Sequence, residues 1–348
     1  MERLLTYAEA IREATEQEMD RDPSVIVMGL GVDDFRGIYG TTRGLQQKFG
    51  AGRVSDTPLS EDGMTGVAIG AALAGLRPIH VHIRMDFLLL AMNQLVNIAA
   101  KSRYMYGGAV AVPLVVRSVI GRSWGQGAQH SQGLHALFAH VPGLKVVAPS
   151  TPYDAKGCLI ESIRDDDPVI YVEHRMLHAQ KGHVPPEPYT VPFGRARFLA
   201  RGEDVTLVGI SYMALECLRA QRSLQETGIH ADVIDPVSLS PLDTETIVDS
   251  VRRTGRLVVV DTAWTSCGAS AEIAARVVER LGGARRLQVH RMGYAPVSCP
   301  TTKNLQDLFY PTVEQIASAA YRLVRGETDA WTPARLEAPE LVAFKGPF

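Results

Sequence analysis

Apolar runs of strand length alternate with helix-periodic segments along most of this chain. The runs at 25–28, 79–83, 113–117, 144–148 and 169–172 are nearly continuous in apolar residues, the pattern of strands buried on both faces. Between them, 7–20, 64–74, 87–103 and 153–164 carry helical periodicity. Such alternation predicts a mostly parallel sheet with helices on both faces. It stops at 183–192, where Pro185, Pro186, Pro188 and Pro192 fix φ and remove backbone donors, predicting a stiff, extended linker. It then resumes, with strands over 205–209, 231–234 and 257–260 and helices over 213–226, 244–253 and 269–281. The expected fold class is therefore α/β, with two doubly wound domains. The first spans 1–182, a Pro-rich linker 183–194, the second 195–327, and an extended tail 328–348.

Composition narrows the function classes. A length of 348 residues suits two domains at roughly 150 residues each. Lys+Arg 36 against Asp+Glu 38 leaves a formal charge of −2, which argues against a nucleic-acid surface. No apolar run approaches the ~20 residues that span a bilayer. The acidic stretch with Glu9, Glu13, Glu16, Glu18 and Asp20 is unlike an export signal, so a cytoplasmic protein is expected. Cys158, Cys217, Cys267 and Cys299 form no C-x-x-C pair and read as ordinary small buried residues.

Candidate chemistry is sparse. Glu61 precedes an apolar helix and follows Ser60, a plausible N-cap; physics alone favours helix capping, with a buried proton-transfer acid as the sharper alternative. His130 sits between glycines in Gly125-Gln126-Gly127-Ala128-Gln129-His130-Ser131-Gln132-Gly133, a loop with room for a ligand and an acid–base group that titrates near neutrality. His130, His135 and His140 are spaced five apart and make no metal face, while His80 and His82 share one strand face without a third ligand. His174 and His178 read as surface or packing residues at helical spacing. Gly66, Gly70 and Ala74 form a small-residue stripe, which suits either a helix buried within one domain or close packing across a subunit interface. Nucleotide loops and a nucleophile elbow are absent from the sequence.

Read together, these residues resemble one family over roughly 5–324: the β subunit of the thiamine-diphosphate-dependent dehydrogenase component of 2-oxo acid dehydrogenase complexes, of pyruvate, acetoin or branched-chain type. The resemblance rests on Asp56-Thr57-Pro58-Leu59-Ser60-Glu61, Gly75-Leu76-Arg77-Pro78-Ile79, Ala99-Ala100-Lys101-Ser102-Arg103-Tyr104-Met105 and Ala128-Gln129-His130-Ser131-Gln132. Pro142-Gly143-Leu144-Lys145-Val146-Val147, Asp154-Ala155-Lys156-Gly157 and Ala271-Glu272-Ile273 extend it. It implies a transketolase-like pyrimidine-binding domain followed by a transketolase C-terminal-type domain. The acid matching Glu61 is then expected to hydrogen-bond a ring nitrogen of the cofactor's aminopyrimidine and promote loss of the thiazolium proton. The aromatic matching Phe87 stacks on that ring, Leu30 and Gln94 fall among the cofactor-binding positions, and His130 works near the substrate and the incoming lipoyl group. Thiamine diphosphate would be shared with an α subunit that holds the diphosphate and its Mg2+, in an α2β2 heterotetramer with a β–β contact and a lipoyl-bearing acyltransferase as a further partner.

The chain departs from the family at several points. Gly29-Leu30-Gly31-Val32 stands where acids are usual, Asn93-Gln94 where Asp-Gln is usual, and Leu305-Gln306 where Leu-Glu is usual; Trp124 is bulky beside the His130 loop. These changes keep two other functions open: a two-subunit transketolase or acyloin synthase that passes the carbanion to an aldehyde, and a non-catalytic β-type scaffold.

Overall fold

The computed structural model describes residues 3–34, 36–122, 125–283, 287–326, 331–334 and 340. The chain divides into two units, one of Met1–Ile120 with Leu137–Phe193, the other of Gly121–Ala136 with Gly194–Phe348. The strands of the first unit are β1 (Leu4–Thr6), β2 (Val25–Gly29), β3 (Val54–Ser55), β4 (Arg77–His82), β5 (Val115–Ile120), β6 (Lys145–Val147), β7 (Val169–His174) and β8 (Lys181–His183). Those of the second are β9 (Arg197–Ala200), β10 (Val205–Gly209), β11 (Ala231–Asp235), β12 (Ser238–Ser240), β13 (Arg256–Trp264) and β14 (Gln288–Tyr294).

In the first unit, strands pair in the order β6-β7-β5-β4-β2-β3, each pair parallel. The residues of β5 and β7 are buried throughout, Arg117 and Glu173 among them, and the apolar residues that dominate both strands give them their strand signal. The helix Tyr7–Arg21 begins at a capping box, Thr6 with Glu9, and buries Tyr7, Ala10, Ile11 and Ala14. The helix Pro152–Arg164 packs against it, started by Thr151 as N-cap and Pro152 in its first turn.

The Pro-rich stretch is tied down on the first unit. Lys156 Nζ donates to the carbonyls of Pro185 (2.7 Å) and Pro186 (3.2 Å), and Arg3 Nη1 donates to that of Val184 at 3.0 Å. Prolines lack N–H groups, but their carbonyls remain good acceptors, and the buried Lys156 ammonium uses two of them.

The helix expected over 87–103 is broken. A short α-helix, Met85–Leu88, leads into a 3-10 turn, Leu89–Ala91, then a π-helical stretch, Gln94–Ala99, before Ala100–Met105. Apolar periodicity does not distinguish these windings, because each keeps one face inward.

In the second unit the order is β14-β13-β10-β11-β9, parallel except for the antiparallel edge strand β9. The helices Tyr212–Gln225, Thr244–Thr254, Ala269–Leu281 and Val313–Arg325 flank it. Ile247, Val248, Val251, Ile273 and Val277 pack on Val208, Leu257 and Val259 to make one of its core clusters. Cys158, Cys217 and Cys299 are buried as expected, whereas Cys267 is exposed.

Candidate functional site

Strand order locates the site before any side chain is considered. From β2 the chain moves outward to β3, then returns across β2 to β4 and continues the other way. The winding therefore reverses between β2 and β4, and the carboxyl ends of strands at such a reversal leave an open crevice. A narrow pocket lies there, lined by Leu30, Thr57, Pro58, Ser60, Glu61, Met64, His80, Val81 and His82.

The backbone at this place is closely packed. Gly29, at the end of β2, has φ +148°, and a Cβ there would lie 2.3 Å from the carbonyl oxygen of Val81 on β4. Only glycine fits that approach. Two residues on, the Gly31 N–H donates to Asp56 Oδ1 at 2.7 Å, joining the loops that leave β2 and β3. After that loop the chain enters the helix Glu61–Leu73, so Glu61 stands in its first turn, half-buried at the pocket.

Ser60 occupies the N-cap position with φ −157°, but its side chain makes no capping hydrogen bond, contrary to expectation. Beneath the pocket, His80 and His82 are 2% and 5% exposed, with ring centroids 4.3 Å apart at 78°. His82 Nε2 lies 3.4 Å from Thr65 Oγ1, tying β4 to the helix that Glu61 opens; His80 Nδ1 lies 3.4 Å from the Met28 carbonyl. Burial pushes His80 down to about 4 and His82 well below the ordinary imidazole value, so both rings are neutral near pH 7. His80 and His82 share one strand face, as a pair of metal ligands would. Among the described residues no group of three or more His, Cys, Asp or Glu is placed to hold a metal ion.

Of the other expected positions, Leu30 lines the pocket with Glu61. Phe87 is half-buried in the short helix after β4 and is not among the pocket's lining residues. Gln94 lies against that same Glu61–Leu73 helix, with its side-chain amide 3.7 Å from where a Cβ on Gly66 would be. His130 is half-buried in the 121–136 loop, which clusters with the second unit. Trp124 lies outside the described residues.

Helical spacing does not describe His174 and His178. His174 ends β7, both are buried, and His178 Nε2 lies 3.1 Å from Glu173 Oε2. Glu173 also pairs with Arg117 at 2.6 Å, both fully buried. Burial by itself would raise the Glu173 carboxyl, but Arg117 and His178 overcome it and hold the group at about 2.

The lining offers the Glu61 carboxylate, the two neutral imidazoles and the Thr57 and Ser60 hydroxyls among apolar walls, with no lysine or arginine. It suits the edge of an uncharged heteroaromatic ring and offers nothing to a diphosphate. The protein is thus an α/β chain of two doubly wound units with a narrow, carboxylate-bearing pocket at the first unit's strand reversal.

Comparison with known proteins agrees with this architecture. Residues 3–180 match the family "Transketolase, pyrimidine binding domain", and 194–316 match "Transketolase, C-terminal domain". The chain is 44% identical over 336 residues to the acetoin:2,6-dichlorophenolindophenol oxidoreductase subunit beta of Cupriavidus necator, covering 94% of this chain and 99% of that one. It is 40% identical over 319 residues to the pyruvate dehydrogenase E1 component subunit beta of Rickettsia bellii, covering 92% and 98%. A solved structure, "Split gene transketolase, inactive beta4 tetramer", shares the fold with a TM-score of 0.73 at 21% identity, covering 92% of this chain and 98% of that one. The chain belongs to the transketolase-type family of dehydrogenase β subunits, a pyrimidine-binding domain followed by a transketolase C-terminal domain.

Proposed function

We propose that this chain is the β subunit of a cytoplasmic, thiamine-diphosphate-dependent 2-oxo acid dehydrogenase. It would act with an α subunit in an α2β2 heterotetramer and pass an acyl group to a lipoyl-bearing acyltransferase. The observation that carries the reading is the half-buried Glu61 at a pocket whose lining holds no lysine or arginine to take a diphosphate. The relatives named as beta subunits of acetoin and pyruvate oxidoreductases support it.

When bound, thiamine diphosphate supplies a carbon acid and an electron sink for decarboxylation. Glu61 holds a proton at a ring nitrogen of the pyrimidine, and Leu30, Met64 and Val81 keep water from that edge. Phe87 supplies an aromatic face for the ring, and Gln94 steadies the helix that Glu61 opens. The α subunit holds the diphosphate and Mg2+. His130 moves a proton at the acyl acceptor, a role open to an imidazole on a glycine-flanked loop.

Co-expression with the α subunit, followed by product analysis from a panel of 2-oxo acids, tests the reading. Acyl transfer to a lipoyl domain is the expected result. Acyloin formation from added aldehydes, with no transfer to lipoyl, would replace the acceptor half of the proposal. Absence of any decarboxylation would return the chain to a scaffold.

A further inference from the structure

The second unit has its own reversal of strand order, between β10 and β13. That is where a sheet of this kind offers a crevice, and here the protein's own loop occupies it. Val260 of β13 pairs with Gly209 at the end of β10, and Asp261 is the next residue along. His135 reaches it from the first position of the helix His135–Ala139 that follows the His130 loop, with Nε2 2.9 Å from Asp261 Oδ1 and both side chains fully buried. With Asp261 ionised, Nε2–H donates and the carboxylate accepts.

The loop is seated on both sides of His130. Before it, the Gly125 N–H donates to Gln306 Oε1 at 3.3 Å, and a Cβ on Gly127 would lie 2.6 Å from Thr301 Cγ2. After it, a Cβ on Gly133 would lie 1.9 Å from the Thr262 carbonyl oxygen, so backbone is pressed on backbone beside Asp261. Among the described residues, neither His135 Nδ1 nor Asp261 Oδ2 has a hydrogen-bond partner. Their mutual bond is therefore what satisfies either side chain, and removing one leaves the other buried without compensation.

We propose that the His135–Asp261 pair is a positioning device for His130, fixing the register of its loop on the second unit so that the imidazole meets the acyl acceptor in one orientation. The inference rests on the reading above that His130 acts at the acceptor step. A side chain displaced by about 1 Å can lose on the order of 10²-fold in rate, which makes a buried clamp five residues away consequential.

The test uses the assembled enzyme. His135→Leu breaks the bond, and product formation is expected to fall roughly 10–100-fold. Proton exchange at the cofactor's reactive carbon, which precedes the acceptor, should stay at the wild-type rate. His135→Gln, whose amide can still donate to Asp261, should recover most of the loss. On a His130→Ala background, His135→Leu should add nothing, since two residues acting through one group are not additive.

Two milder variants guard against misfolding. Asp261→Asn keeps an acceptor oxygen and should stay near wild type, while His135→Asn is too short to reach and should not. Full-rate His135→Leu, additive losses with His130→Ala, equal slowing of the exchange step, or identical behaviour of the two milder variants would overturn the proposal. If His130→Ala itself forms product at the wild-type rate, the assignment of His130 fails instead.

Discussion

Glu61 opens its helix after a residue that does not cap it, so its carboxylate meets the positive end of that helix while also facing the pocket. Helix capping and proton transfer make different demands on it. As a helix-end charge it is worth about 0.5–2 kcal/mol of stability, and Gln keeps most of the shape. As the group that holds a proton at the pyrimidine, Glu61→Gln removes the exchangeable acid and should slow hydrogen–deuterium exchange at the thiazolium carbon by roughly 10²–10⁴-fold. Acid-quench NMR on the assembled enzyme measures that rate, and the melting temperature should move little. Equal exchange rates would leave Glu61 a helix-end charge. His80, just below, gives a pH signature. Below pH 6.5 the unfolded chain takes up a proton on this ring that the folded chain refuses until about pH 4, so stability is lost as the pH falls through that window. The loss approaches roughly 3 kcal/mol for His80 alone. Unfolding midpoints of wild type and His80→Leu at pH 7.5 and pH 5 check it: the gap between the two pH values should shrink in the variant.

Elements that were continuous in apolar residues were legible, and those whose character depends on a neighbour were not. The strand Val205–Gly209 and the helix Ala269–Leu281 match their sequence bounds because each carries one unbroken signal. The edge strand Gln288–Tyr294 mixes His290 and Arg291 with apolar residues and has only one buried position, so its pattern is faint. At the site, Glu61 was visible through its motif. The partnership of His135 with Asp261 was not, because 126 residues separate them and only the fold joins them. Arg117 and Glu173 were missed for the same reason, buried charges inside two strands that otherwise read as apolar. This pair links β5 to β7, and breaking it leaves a charge stranded in the core. Glu173→Gln should cost about 3–5 kcal/mol, whereas replacing both residues with apolar ones should cost much less than the sum of the single changes. Denaturant melts of the two single variants and the double check this. Because the folded carboxyl titrates at about 2, its contribution is fully present above about pH 4.5 and is lost as the pH falls from there towards 2.

For the whole molecule, the question is what this chain lacks when alone. The pocket at Glu61 has no lysine or arginine in its lining. Calorimetry on the isolated chain should therefore show no sub-micromolar binding of thiamine diphosphate with Mg2+, and such binding would remove the need for an α subunit. The helix Glu61–Leu73 bears on assembly more directly. Thr65, Ala68, Ile69 and Ala72 are its buried face, which leaves Gly70 and Ala74 exposed and Gly66 half-buried against Gln94. The reading of the stripe as buried within one domain is thus overturned for Gly70 and Ala74. Val67 and Leu73 on the same helix are 54% and 50% exposed, and among the described residues nothing lies within 4 Å of where a Gly70 Cβ would be. A Leu at Gly70 therefore meets no obstacle among the described residues, and as a better helix former it should stabilise the isolated subunit by up to about 1 kcal/mol. If two copies bring these stripes together in a β–β contact, the same Leu overpacks the junction at a cost of about 1–3 kcal/mol. The two effects have opposite signs, so Gly70→Leu separates fold from assembly in one protein. Thermal melting should show an unchanged or raised midpoint for the subunit, while light scattering of the variant mixed with its α partner should show a lower mass. A wild-type mass would place the β–β contact elsewhere on the chain.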